Sequence, residues 1–357
     1  LGSGKTCTSI AIAEGLKTSN QVLIMTPASL RANYIKQLKE CGDSLYKKNQ
    51  FWEFIDTKEN PDLIPVLSKN LSISDEYIKK NGGAWLVNIK KESNFETLPS
   101  AQREEVDLQI NEMIRSKYRF INYNGLRNSH LGVLTNDFTE NPFDNKVVII
   151  DEAHNFISRI VNKLKNEESL SMRLYEYLLS AQNVRIVLLT GTPIINYPNE
   201  IGILFNILRG YIKTWTFPLN VKSGQKVDAE RLRDLFQKND IYDYLDYKPS
   251  GGILTITRNP FGFTSKIRKG KDKKIVNKGV QASEKGFVSD ADFQKKIIRT
   301  LAKIDIEVLP VENFTTAHKA LPDDLEGFKN LFIEGDSGNI KNMNMFKRRV
   351  LGLTSYF

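Results

Sequence analysis

Apolar residues gather in this chain into short, mostly unbroken runs at 22–25, 118–122, 147–150 and 184–189. Each run is followed by small or polar residues: Thr26-Pro27, Tyr123-Asn124, Asp151-Glu152 and Thr190-Gly191-Thr192-Pro193. Four consecutive β-branched residues, Val147 to Ile150, suit a strand covered on both faces, as in a parallel sheet. Segments with helical spacing lie between or beside these runs, at 6–16, 30–40 and 170–179. The alternation predicts βα units around a parallel sheet. Such sheets bind ligands beyond the carboxyl ends of their strands, which is where these polar residues fall.

The chain opens on Leu1-Gly2-Ser3-Gly4-Lys5-Thr6, directly ahead of the first expected helix. Small glycines let successive N–H groups turn onto phosphates, Lys5 adds positive charge, and the Thr6 hydroxyl can bind Mg²⁺. The helix N-terminus favours the same anion. Alone, this segment could be a flexible polar terminus, the lesser of the two readings. Asp151 and Glu152 could likewise be solvated turn or capping residues. Taken together they describe a nucleoside triphosphatase, with one acid to hold the metal and the other to orient the attacking water.

The ordered set Lys5-Thr6, 23–30, Asp151-Glu152-Ala153-His154 and 189–193, with Asn199-Glu200 and Leu204 behind it, resembles the motifs of superfamily 2 helicases. Its Thr190-Gly191-Thr192-Pro193 form is most similar to Swi/Snf-type translocases. Residues 346–357 resemble a segment of helicases from large cytoplasmic DNA viruses, including the poxvirus nucleoside triphosphatase and early-transcription helicase relatives. This resemblance implies an α/β, RecA-like P-loop NTPase lobe that uses ATP and Mg²⁺ to move on nucleic acid. It makes Gly2, Ser3, Gly4, Lys5 and Thr6 the phosphate ligands, Thr6 and Asp151 the metal ligands, and Glu152 the catalytic carboxylate assisted by Lys5. His154, Thr190, Gly191 and Thr192 would couple the ATP site to the nucleic-acid track, which Thr26 would touch. It further favours DNA over RNA as partner without deciding between them, leans towards a role with viral transcription machinery, and suggests a place in the host cytoplasm or virion. A second RecA-like lobe with an arginine finger is expected beyond Phe357, with authentic termini outside the segment; Arg258 is the finger candidate within it. The rival reading is a P-loop ATPase acting on proteins or as a clamp.

The expected organisation is a RecA-like lobe at 1–41 and 116–212, a helical insertion at 42–115, an α-rich extension at 213–345 and a connection at 346–357. Trp52, Phe54, Trp85, Leu86 and Phe95 would form the insertion's core, since aromatic residues dominate cores more often than they make base-stacking platforms. In the extension, 227–245 reads as helix and 251–260 as turn, strand and stop. Residues 266–285 carry eight Lys or Arg against two acids and read as a solvated basic loop. Within it, Lys269, Lys271, Lys273 and Lys274 are candidate phosphate contacts. At 357 residues and 40% hydrophobic, the chain can fill a large α/β core, and its net charge of +9 is moderate. No apolar stretch of about 18 residues suggests a membrane span. Cys7 and Cys41 are expected to be free, buried or partly buried thiols.

Overall fold

The computed structural model describes residues 4–16, 21–221, 227–236, 242–258, 263–269, 275–282, 288–335, 338–350 and 352–354. The chain divides into two compact units, Leu1–Pro193 and Ile194–Phe357. The expected boundary, at 212, lies further along.

In the first unit, α1 (Lys5–Leu16), β1 (Gln21–Met25) and α2 (Arg31–Cys41) lead into a long excursion. The excursion comprises β2 (Trp52–Asp56), α3 (Ile64–Leu71), α4 (Asp75–Asn81), β3 (Gly83–Val87) and α5 (Ser100–Lys117). The chain then returns through β4 (Tyr118–Ile121), α6 (Asn128–Leu134), β5 (Lys146–Ile150), α7 (Ala153–Val161), α8 (Leu170–Ser180) and β6 (Arg185–Leu188). The sheet order is β4-β1-β5-β6, and every pairing is parallel, with Ile24 opposite both Phe120 and Ile149, and Ile149 opposite Val187. Val22 to Met25 and Val147 to Ile150 are fully buried, as expected of strands with cover on both sides. Edge strand β6 is only half-buried apart from its exposed Arg185.

The excursion at 42–115 is not purely helical. β2 and β3 pair as an antiparallel hairpin, Phe54 opposite Trp85. The outer edge of β3 is closed by a side chain: Gln109 of α5 accepts from the Trp85 N–H at 2.8 Å and donates to the Trp85 carbonyl at 2.7 Å. Trp52 and Trp85 are buried as expected, but Phe54 is 41% exposed and lies edge-on to Trp85. Nor is the core separate. Trp52, Leu67, Ile78, Trp85, Val106 and Ile110 join Ile10, Ala13, Val22, Ile24, Val147 and Ile149 in one apolar cluster.

The cysteine expectation fails. Cys7 and Cys41 are joined by a disulfide, their Cα atoms 5.5 Å apart. α1 and α2 pack side by side, and that tertiary contact is invisible in a spacing of 34 residues.

The second unit contains α9 (Asn199–Arg209), β7 (Ile212–Asn220), α10 (Ala229–Phe236), β8 (Tyr242–Lys248), β9 (Ile253–Arg258), β10 (Phe263–Lys269) and β11 (Ile275–Ala282). It continues with α11 (Asp290–Ala302), β12 (Glu307–Val308), β13 (Thr315–His318), α12 (Leu325–Phe332), β14 (Ile333–Glu334), β15 (Asn339–Ile340) and α13 (Met343–Val350). The unit does hold helices, but its centre is an antiparallel sheet, β12-β7-β9-β8, with β13 also on β7. Of the helix expected at 227–245, Ala229–Phe236 is helical, but the described residues from Tyr242 onward are strand β8. Along β8, Leu245 and Tyr247 are buried, whereas Tyr244 and Asp246 are half-buried and Lys248 is exposed. That alternation has a strand's period of two rather than a helix's 3.6.

The run expected as a basic loop at 266–285 is largely strand: β10 and β11 pair as an antiparallel ribbon, with a register shift between Lys266 and Ile267. The unit's core gathers Trp215, Phe217, Leu232, Leu245, Ile256 and Phe293. Elsewhere in the unit, Asn206 bonds both ways with the backbone of Leu321 at 2.8 Å. Phe346 of α13 packs on Phe328 and Phe332 of α12, while Ser355, Tyr356 and Phe357 lie outside the described residues. Among the described residues, no helix is long and apolar enough to cross a membrane.

Candidate nucleotide-binding and catalytic site

The site is assembled at the carboxyl ends of β1, β5 and β6 and at the start of α1. Gly4 takes a φ of +69°, which glycine adopts without steric cost, and its carbonyl receives the Thr8 N–H at 2.9 Å. Gly2 and Ser3 lie outside the described residues. Lys5 and Thr6 form the first turn of α1, which is fastened from behind: Ser9 Oγ donates to the Thr6 carbonyl and pairs with the Tyr34 hydroxyl, both at 2.8 Å. A Cβ at Gly191 would lie 3.8 Å from Lys5 Nζ, so Lys5 faces the loop after β6.

Asp151 and Glu152 follow β5 and are tied into the sheet by backbone bonds. The Asp151 N–H bonds the Met25 carbonyl, and the Ala153 N–H bonds the Leu189 carbonyl, each at 2.9 Å. Burial pushes the Asp151 carboxyl above its ordinary range; the Glu152 N–H, at 3.0 Å from Oδ1, and the charges of Lys5 and His154 work against that rise, while the Glu152 charge adds to it. Glu152 itself sits at φ 48° and ψ 49°, a left-handed conformation uncommon for a residue with a side chain.

His154 connects the acids to the loop after β6. Its Nδ1 lies 3.3 Å from Glu152 Oε2 and 3.0 Å from Thr190 Oγ1. Thr190 Oγ1 in turn accepts the Thr192 N–H at 3.1 Å. Four expected residues, Glu152, His154, Thr190 and Thr192, therefore form one chain of contacts, and Gly191 faces Lys5. Thr26 is fully buried and its N–H bonds the Ile121 carbonyl at 3.0 Å, so in this structure its backbone serves the sheet. Lys269 ends β10; Lys271, Lys273 and Lys274 lie outside the described residues. Arg258 is engaged within its own unit, donating to the Val288 carbonyl at 2.6 Å, pairing with Asp290 at 2.9 Å and lying over the Trp215 ring.

One residue of the site was not foreseen from sequence. Tyr123, just after β4, points its hydroxyl at the carbonyls of Asp151 and Glu152, at 3.1 and 3.2 Å. Its only trace in sequence is its place after an apolar run.

Residues 1–195 match the type III restriction enzyme, res subunit family. The chain belongs to this family. The expected helicase kinship is thereby borne out. A protein of Acanthamoeba polyphaga mimivirus named as a putative ATP-dependent RNA helicase is 30% identical over 58% of this chain and 28% of its own length. A termination factor NPH-I homolog of African swine fever virus is 33% identical over 24% of this chain and 13% of its own. The chain thus spans under a third of the length of these relatives. Among solved structures, the Sulfolobus solfataricus SWI2/SNF2 ATPase core in complex with dsDNA is similar over 59% of this chain and 31% of that chain, at 16% identity and a TM-score of 0.28.

Proposed function

We propose that the first unit is the ATP-binding lobe of an ATP-dependent nucleic-acid translocase or helicase, with DNA favoured over RNA and a role in viral transcription, in the host cytoplasm or virion. The observation that carries this reading is the contact chain from Glu152 through His154 to Thr190 and Thr192, beside Lys5 and Asp151. The donor set fits Mg²⁺, a hard cation that prefers oxygen: the Thr6 hydroxyl and the half-buried Asp151 carboxylate would hold it. When bound, the metal would neutralise charge on the phosphate oxygens. Lys5 would hold the same oxygens. Glu152 would take a proton from the attacking water as the new P–O bond forms and the bond to ADP breaks, releasing phosphate.

The test is hydrolysis by the full-length protein with duplex DNA, single-stranded DNA and RNA, for wild type and Glu152→Gln. The expected result is stimulation by nucleic acid, strongest with DNA, and loss of turnover with retained nucleotide binding in Glu152→Gln. Hydrolysis indifferent to every nucleic acid would favour an ATPase acting on proteins, and wild-type turnover by Glu152→Gln would remove the assigned base.

A further inference from the structure

A glutamate does not hold a left-handed backbone unaided, because its Cβ crowds the following carbonyl. Two peptide planes meet at the Glu152 Cα, one carrying the Asp151 carbonyl and the other its own. Their rotations are φ and ψ, so fixing both planes fixes the direction in which the side chain leaves the backbone. The Tyr123 hydroxyl lies within hydrogen-bond distance of both carbonyls, 3.1 and 3.2 Å away, and among the described residues is the one side chain that reaches both planes, beside the bonds of the Glu152 N–H to Asp151 Oδ1 and of the Ala153 N–H to the Leu189 carbonyl. Successive carbonyls converge on one donor in a coiled backbone and diverge in a strand. The tyrosine is itself well anchored: it is 5% exposed, and its ring packs against Phe156 of α7 with centroids 5.5 Å apart.

We infer that Tyr123 is a positioning residue for Glu152, fixing the turn that aims the carboxylate without touching nucleotide or water. This rests on Glu152 being the catalytic carboxylate. The test is Tyr123→Phe in the full-length protein, which keeps the ring and removes the hydroxyl. Expected are unchanged melting and ATP affinity with kcat lowered by about tenfold or more, since small misplacements of a reacting group are costly. p-Aminophenylalanine at position 123 restores an N–H donor and should recover much of the loss. A Tyr123→Phe kcat within about twofold of wild type overturns the inference, as does a loss that tracks a fall in melting temperature and is not recovered by the amino analogue. Glu152→Gln is the control: full activity there defeats the functional reading, whereas an inactive Glu152→Gln beside a fully active Tyr123→Phe defeats only the role of Tyr123.

Discussion

Replacing Thr190 by valine removes one hydroxyl and nearly keeps the side chain's shape. That oxygen meets His154 Nδ1 at 3.0 Å and the Thr192 N–H at 3.1 Å, so two hydrogen bonds are lost together. At about 0.5–1.5 kcal/mol net for each, the loss is about 1–3 kcal/mol. His154 keeps its approach to Glu152 but loses its tie to the loop after β6. If that tie transmits nucleic-acid binding to the acids, the loss appears as coupling energy, equivalent to about 5- to 150-fold in stimulated turnover. The assay is steady-state ATP hydrolysis with and without duplex DNA, alongside nucleotide binding and thermal melting. Stimulated turnover should fall while basal turnover and affinity change little. Thr192→Ala should be milder, because Thr192 enters the network through its backbone N–H. Equal loss of basal and stimulated hydrolysis, or undiminished stimulation in a normally melting Thr190→Val, refutes the reasoning.

Gln109→Leu should destabilise the first unit by about 2–5 kcal/mol in urea melts, because it strands the Trp85 N–H and carbonyl that the amide now satisfies; a change below about 1 kcal/mol would show that water replaces the amide. Reduction of the Cys7–Cys41 bridge, which joins residues 34 apart, should lower stability by up to about 4 kcal/mol in the chain-entropy account. Two labelled thiols per native, unreduced chain would contradict the bridge. Partial burial pushes the Asp290 carboxyl up, but its bond to Lys213 and the charges of Arg258 and Lys213 prevail and hold it below its ordinary value. Its contribution is therefore present above the unfolded-state pKa and is lost as pH falls through the depressed folded-state value. Asp290→Asn should flatten that acid-side loss; an unchanged pH profile would assign the loss to other groups.

The parts of the fold most legible in sequence are those whose environment is uniform. Val22 to Met25 and Val147 to Ile150 are buried on every side and therefore apolar without interruption. The hairpin of β2 and β3 is harder to read, because each strand has five residues and one edge is closed by a side chain from α5. Lys5, Asp151 and Glu152 stand out as candidates by type and order. Tyr123 does not, since its hydroxyl meets backbone carbonyls, and backbone leaves no mark in sequence. The Cys7–Cys41 pairing depends on how α1 packs against α2, which no local pattern encodes.

The shared core of the excursion and the sheet has a consequence for the order of assembly. β1 emerges from synthesis before either of its partners, β4 and β5, which follow the whole of 42–117. Closing so long a loop between unpaired strands is entropically costly unless the intervening chain has already compacted. Until then β1 is an apolar strand with two open edges, the kind of segment that recruits other chains. Trp52, Trp85 and Ile110 belong to the same cluster as Val22 and Ile24, so early collapse of the excursion would shelter β1 while it waits for its neighbours. If the excursion compacts first, the inserted segment would cover the central strand until its two partners have been made.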